Sequence, residues 1–274
     1  MKEKFRAEPV YLVPIVVSLL VGIACAFLLL RVSFELVPVT PFPESPLGVF
    51  GNGLYFVVLS AVGASLLYVF LRRKKLRLAA VVVGFALTAA AFLLSMVYLY
   101  AVFSGFEMPF EDVVVVVSAM VMTVLFDFAV FRAGDRVRGL AILFFGGALG
   151  AFLGMSIPAV SAVLVLSFLA VYDVFAVYRG PVGKIATRGG LELLRGLSLS
   201  FRDVQVGLGD LTFYSMLIGV VLAVAGWIYC LLSAVGVLVG AFLGLKMLER
   251  KGIFPGLPFP VALGLAPLIV WLFL

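Results

Sequence analysis

Apolar residues occur along this chain in long blocks, not in alternation with polar ones, and each block approaches the about 20 residues that a helix needs to cross a bilayer. Nine blocks stand out: 11–30, 54–71, 78–103, 113–131, 139–155, 157–178, 208–225, 227–245 and 258–274. The pattern predicts an all-α membrane protein with nine transmembrane helices. Only the stretch from Met155 to Ser161, MSIPAVS, separates the fifth block from the sixth. Pro158 places that break, because a proline inside a helix removes a hydrogen bond and clashes with the preceding turn. The first block is longer than a signal-peptide core and no small-residue cleavage site follows it, so it is expected to stay as an anchor.

The short connections carry a second signal, since Lys and Arg concentrate on the cytoplasmic side of a membrane protein. The N-terminal tail and the connections after the second, fourth, sixth and eighth blocks hold 3, 5, 3, 5 and 3 basic residues, and Arg31 alone falls on the other side. Merging any two neighbouring blocks would spoil this alternation. The expected orientation is therefore N-terminus cytoplasmic and C-terminus extracellular, in the cell membrane.

Composition agrees: of 274 residues, 65% are hydrophobic and 12% charged. The net charge of +6 is scattered between apolar blocks, as topology requires, so no nucleic-acid partner is expected. Cys25 and Cys230 lie within or beside apolar blocks and read as packing residues, not as a disulfide or a metal site. The longest cytoplasmic connection divides the chain into a six-helix part (1–178), the connection itself (179–206) and a three-helix part (207–274). Within the connection, GLELLRGLSLSF suits either an amphipathic segment on the membrane surface or a mobile gate. Glycines at every fourth position, Gly146, Gly150 and Gly154 in one block and Gly236, Gly240 and Gly244 in another, predict close helix packing and no chemistry.

Acidic groups inside a bilayer cost several kcal/mol unless paired or hydrated, so each one is a candidate for function. Asp127, near the cytoplasmic end of the fourth block with Arg132 close behind, is expected to be a structural ion pair or a snorkelling carboxylate. Asp173 lies six residues before Arg179, or about 9 Å below the inner surface, and Asp210 lies at a similar depth at the start of the seventh block. Two carboxyl groups at one depth can meet, and a close pair shares a proton, leaving one member to act as base on a water. The same two acids would also suit proton-coupled transport or a leak channel. Gly207 and Gly209 would admit a neighbouring backbone beside them. A zinc or Ser/His protease is excluded, because the chain contains no His, and no metal or organic cofactor is implied.

Three motifs together resemble the presenilins and their archaeal homologues, intramembrane aspartyl proteases of the GxGD class. Tyr172 and Asp173 match the YD motif; Gly207, Leu208, Gly209 and Asp210 match GxGD, with FYS following at Phe213 to Ser215; and PGLPFPVALG resembles the PALP segment. There, Pro255, Gly256, Leu257 and Pro258 stand with Gly in place of the usual Ala. The resemblance implies a catalytic pair, Asp173 and Asp210, with Pro255, Gly256 and Leu257 shaping the site and helping to hold an extended substrate beside Gly207, Leu208 and Gly209. Tyr172 would neighbour the pair, either in contact with the site or as a core residue. The substrates implied are single-span membrane proteins entering from the lipid bilayer. The N-inside orientation resembles the presenilin branch and not the inverted signal peptide peptidases, and prepilin peptidases lack the C-terminal element. No long insertion separates the sixth and seventh blocks, so self-cleavage there and partner subunits of the eukaryotic type are not expected.

Overall fold

The structure, a computed structural model, describes residues 6–32, 37–104, 111–180 and 196–273. A 3-10 turn, Pro9–Leu12, leads into α1 (Val13–Leu30), followed by α2 (Pro46–Arg72) and α3 (Leu76–Phe103). Helix α4 (Glu111–Asp127) ends in a π turn, Phe128–Arg132, before α5 (Asp135–Ser156) and α6 (Ala159–Tyr178). Two strands, β1 (Ser198–Phe201) and β2 (Val204–Gly207), precede α7 (Leu208–Lys251) and α8 (Pro258–Phe273). Seven of these helices are long and apolar enough to cross a membrane, and α8 is a shorter apolar helix. The chain is a multi-pass integral membrane protein.

Helix α7 has 44 residues, which as a straight rod would span about 66 Å, roughly twice the hydrocarbon core. It is not straight. Gly226 has φ 80° and ψ −172°, a backbone conformation essentially restricted to glycine, and it divides α7 into limbs 208–225 and 227–251. That break falls at the boundary between the seventh and eighth apolar blocks. Pro158 likewise caps the start of α6, where the sequence places it.

The beginning of α2 differs from expectation by two turns. Ser45 accepts from Gly48 N at 3.1 Å and Pro46 occupies the first turn, so the helix starts well before residue 54. Polar Asn52 hid this start, yet it is fully buried. Its side chain accepts from Phe42 N and donates to Phe42 O, both at 3.0 Å, and donates to Ser161 Oγ at 2.9 Å. Glu44 in turn accepts from Ser161 Oγ. Burial along α2 is confined to Gly48, Val49, Asn52 and Gly53, so it is fastened to the start of α6 by its first two turns.

The connection 179–206 also departs from expectation. Residues 181–195, and with them the first half of the amphipathic stretch, lie outside the described residues. From Ser198 onward the backbone forms an antiparallel hairpin in place of a helix, pairing Ser198 with Gly207 and Phe201 with Val204. Leu199, Val204 and Val206 are buried, because the alternation in SLSF and VQVG turns every second side chain inward. Four-residue strands are too short to declare themselves beside blocks of 20.

The first limb of α7 is the most buried element: Leu211, Met216, Leu217, Ile218 and Val221 have no exposed surface. Glycines of α5 make this possible. A Cβ on Gly150 would lie 2.3 Å from Thr212 O, and one on Gly154 2.5 Å from Met216 O. From the other side α1 approaches, with Ser215 Oγ donating to Ser18 O at 3.2 Å. The second limb packs on α8 in the same way, Gly236 against Leu263 O and Gly240 against the Phe259 carbonyl. Gly244 is the exception in its stripe, its nearest neighbour being the Phe254 ring 4.0 Å away.

Candidate active site

Asp210 is the third residue of α7, and the chain enters that helix directly from the hairpin. Gly207 ends β2 in extended conformation and caps the helix, and Leu208 N donates to Leu197 O at 2.8 Å. The hairpin thus fixes the first turn of α7 and the carboxylate on it. Asp173 stands on α6, five residues before its end at Tyr178. The two carboxyl groups are close enough to interact electrostatically, and both are half-buried.

The loop between α7 and α8 touches both acids. Gly252, at φ 76°, ends α7 and turns the chain back, so that Leu257 N donates to Asp173 Oδ2 at 3.0 Å. One residue earlier, a Cβ on Gly256 would lie 2.8, 2.9 and 2.9 Å from Oδ2, Cγ and Oδ1 of Asp210. The glycine Cα therefore packs flat against the second carboxylate, closer than a Cβ could sit without a shift. Tyr214, one helical turn beyond Asp210, donates its hydroxyl to Gly256 O at 2.9 Å and holds the loop from behind. Beside Asp210, Gly256 and Tyr214 lies a cavity of about 120 Å³ that also reaches β2 at Val204 and Val206. It has room for water next to one carboxylate.

Sequence reasoning singled out nine positions, and the structure brings six of them together. Asp173, Asp210, Pro255, Gly256 and Leu257 form the centre, and Gly207 adjoins it, a Cβ there lying 3.3 Å from Asp210 Oδ2. The other three adjoin the two aspartates in the chain but add no contact to that centre. Leu208 is buried in the helix core facing Gly146, and Gly209 is exposed with only the Phe213 ring near it. Tyr172 is half-buried and among the described residues makes no hydrogen bond to Asp173. Tyr214 was missed as a site residue. The signal was present, because a tyrosine four residues after an aspartate shares its helix face.

Asp127 does not pair with Arg132. Its carboxylate faces α3 instead, where the Thr88 hydroxyl donates to its two oxygens at 3.0 and 2.9 Å. Among the described residues no group of three or more His, Cys, Asp or Glu side chains could hold a metal ion.

No protein-family model and no curated protein matches this chain. Solved structures do. A presenilin family intramembrane aspartate protease in space group C222 superposes with a TM-score of 0.64 and 19% identity, covering 94% of this chain and 95% of that one. The structure so described in space group P2 gives a TM-score of 0.64 and 20% identity, with 94% of each chain covered. The likeness extends over nearly the whole length and shows that this chain has the presenilin-type fold.

Proposed function

We propose that this protein is an intramembrane aspartyl endopeptidase that cuts the transmembrane segments of single-span membrane proteins. The observation that carries the reading is the loop 255–257, which donates a backbone N–H to Asp173 and lays a glycine against Asp210. Two carboxyl groups from different helices, both touched by one loop and with a small cavity beside Asp210, suit peptide hydrolysis better than ion passage. In the reaction one carboxylate takes a proton from a water as its oxygen adds to the scissile carbonyl. The partner carboxyl gives its proton to the carbonyl oxygen. Collapse of the tetrahedral diol, with return of a proton to the nitrogen, breaks the C–N bond and releases amine and acid.

A substrate helix satisfies its own peptide hydrogen bonds and must unwind before it can be cut. The unwound segment would add as a strand at the edge of the β1–β2 hairpin or along the 255–257 loop, since a two-stranded sheet leaves an edge beside the site. In this reading the chain crosses the cell membrane nine times, with α7 crossing twice and α8 once, the N-terminus cytoplasmic and the C-terminus extracellular. It works without eukaryotic-type partner subunits.

The test is cleavage of a single-span substrate by purified protein in detergent, alongside Asp173→Asn and Asp210→Asn. The expected result is cleavage by the native chain alone, with both variants folded and inactive. Equal cleavage by either variant would refute the dyad, and proton flux in sealed vesicles without cleavage would favour a transporter.

A further inference from the structure

We propose that Asp127 is a positioning residue for Asp210, acting through the seat of Gly196 at the entrance to the β1–β2 hairpin; the inference builds on the protease reading above. A carboxylate on a membrane helix is costly unless it is hydrogen-bonded, a burden an apolar residue at 127 would not carry. What the carboxylate adds is a directional tie. Thr88 of α3 donates to its two oxygens, and this tie fixes the residue immediately before the π turn Phe128–Arg132. π turns are rare and cluster at functional positions.

Beside Thr88 stands Leu87, and three residues beyond Asp127 stands Val130, which is wholly buried within the π turn. These two side chains meet one residue of the connection. Gly196 has φ 95°, and a Cβ on it would lie 2.5 Å from Leu87 Cδ1 and 3.0 Å from Val130 Cγ1. Its Cα is thus seated between α3 and the π turn in a conformation that favours glycine. The next residue, Leu197, accepts through its carbonyl from Leu208 N at 2.8 Å, which is the first residue of α7 and two before Asp210. Each step from Asp127 to Asp210 is a direct contact: a clasp, an apolar seat, a backbone hydrogen bond and half a helical turn. None of them involves substrate, so Asp127 acts on the geometry of Asp210 and not on the chemistry.

The test compares Asp127→Leu, Thr88→Val and Asp127→Asn by two readouts on purified protein: cleavage kinetics with their pH profile, and amide hydrogen exchange across 198–208. Loss of the clasp should speed exchange of the hairpin amides about tenfold in Asp127→Leu and in the nearly isosteric Thr88→Val. In both, kcat should fall at least about tenfold with KM little changed, as for an interaction expressed in the transition state. Asn can still accept from Thr88, so Asp127→Asn should keep native exchange, near-native kcat and the native pH profile. Unchanged hairpin exchange in both clasp-breaking variants would overturn the proposal. So would an inactive Asp127→Asn or one with a shifted pH profile, either of which would make Asp127 a proton-handling group. If the native chain cuts nothing while hairpin exchange still responds to the clasp, the protease reading fails and the structural coupling stands.

Discussion

Gly256 shows how a single hydrogen atom can decide a site. Its missing Cβ is what allows the loop to lie on the Asp210 carboxylate, since any side chain would place an atom within 2.9 Å of all three carboxylate heavy atoms. A bulky side chain there would have to push the loop off the Asp210 carboxylate or turn that carboxylate from its place. Gly256→Val should therefore displace the loop or rotate Asp210, lowering kcat at least about a hundredfold. The melting temperature should change little, because the loop is at the edge of the core. Full-rate cleavage by that variant would remove the loop from the site. Tyr214→Phe removes the one side-chain donor that holds Gly256 O. An unsatisfied carbonyl in this environment costs about 1–3 kcal/mol, so kcat should fall about tenfold while substrate affinity is retained, which single-turnover and steady-state measurements would separate. Because catalysis by two carboxyl groups needs one proton shared between them, the native rate should follow a bell-shaped pH profile, and a sigmoid profile would argue for a single acting acid.

Among the elements, the long apolar helices were the most legible, because a continuous hydrophobic block of about 20 residues has few alternatives to a membrane helix. The break in α7 was also readable, since basic residues on only one side of the chain's connections require a turn near Gly226. Where sequence reading failed, short-range polar structure had replaced the apolar signal. The start of α2 is set by Ser45, Pro46 and Asn52 and not by hydrophobicity, and the hairpin is set by two four-residue strands. The Thr88–Asp127 tie joins residues 39 apart, which no local pattern exposes. At the site, the two aspartates and the 255–257 loop could be named in advance from their motifs, but not the loop's contact with both acids. The anchoring of α2 is itself testable. Asn52 makes three hydrogen bonds in a buried setting, and Asn52→Leu would leave both Phe42 backbone groups and the Ser161 hydroxyl short of a partner. The melting temperature should fall, with a loss of about 2–4 kcal/mol if roughly 1–3 kcal/mol attaches to each orphaned group and part is regained by relaxation. Unaltered stability would mean that α2 is held at some other point.

For the whole molecule, the arrangement of basic connections predicts the orientation that sets the depth of the site. With the N-terminus cytoplasmic, α6 runs inward and the first limb of α7 runs outward, so the end of one and the start of the other lie at the inner leaflet. Asp173 and Asp210, 37 residues apart in sequence yet joined across the 255–257 loop, would then meet in the inner half of the membrane. The same orientation puts the β1–β2 hairpin and the Thr88–Asp127 clasp on the cytoplasmic side, and the Asn52–Ser161 fastening on the opposite side. The scissile bond would then be cut in the inner half of the membrane, and the connection at Arg73 to Lys75 would face the cytoplasm. Single cysteines test this directly. In cells treated with an impermeant maleimide, Ser104→Cys should be labelled from outside and Lys75→Cys only after the membrane is opened. Both positions adjoin helix ends, at α3's terminus and its start, so their labelling reports the direction of one crossing without disturbing the core. The reverse pattern would invert α3, and with it the depth of both aspartates: the site would lie at the outer leaflet, and the basic connections would contradict the charge rule that predicted them.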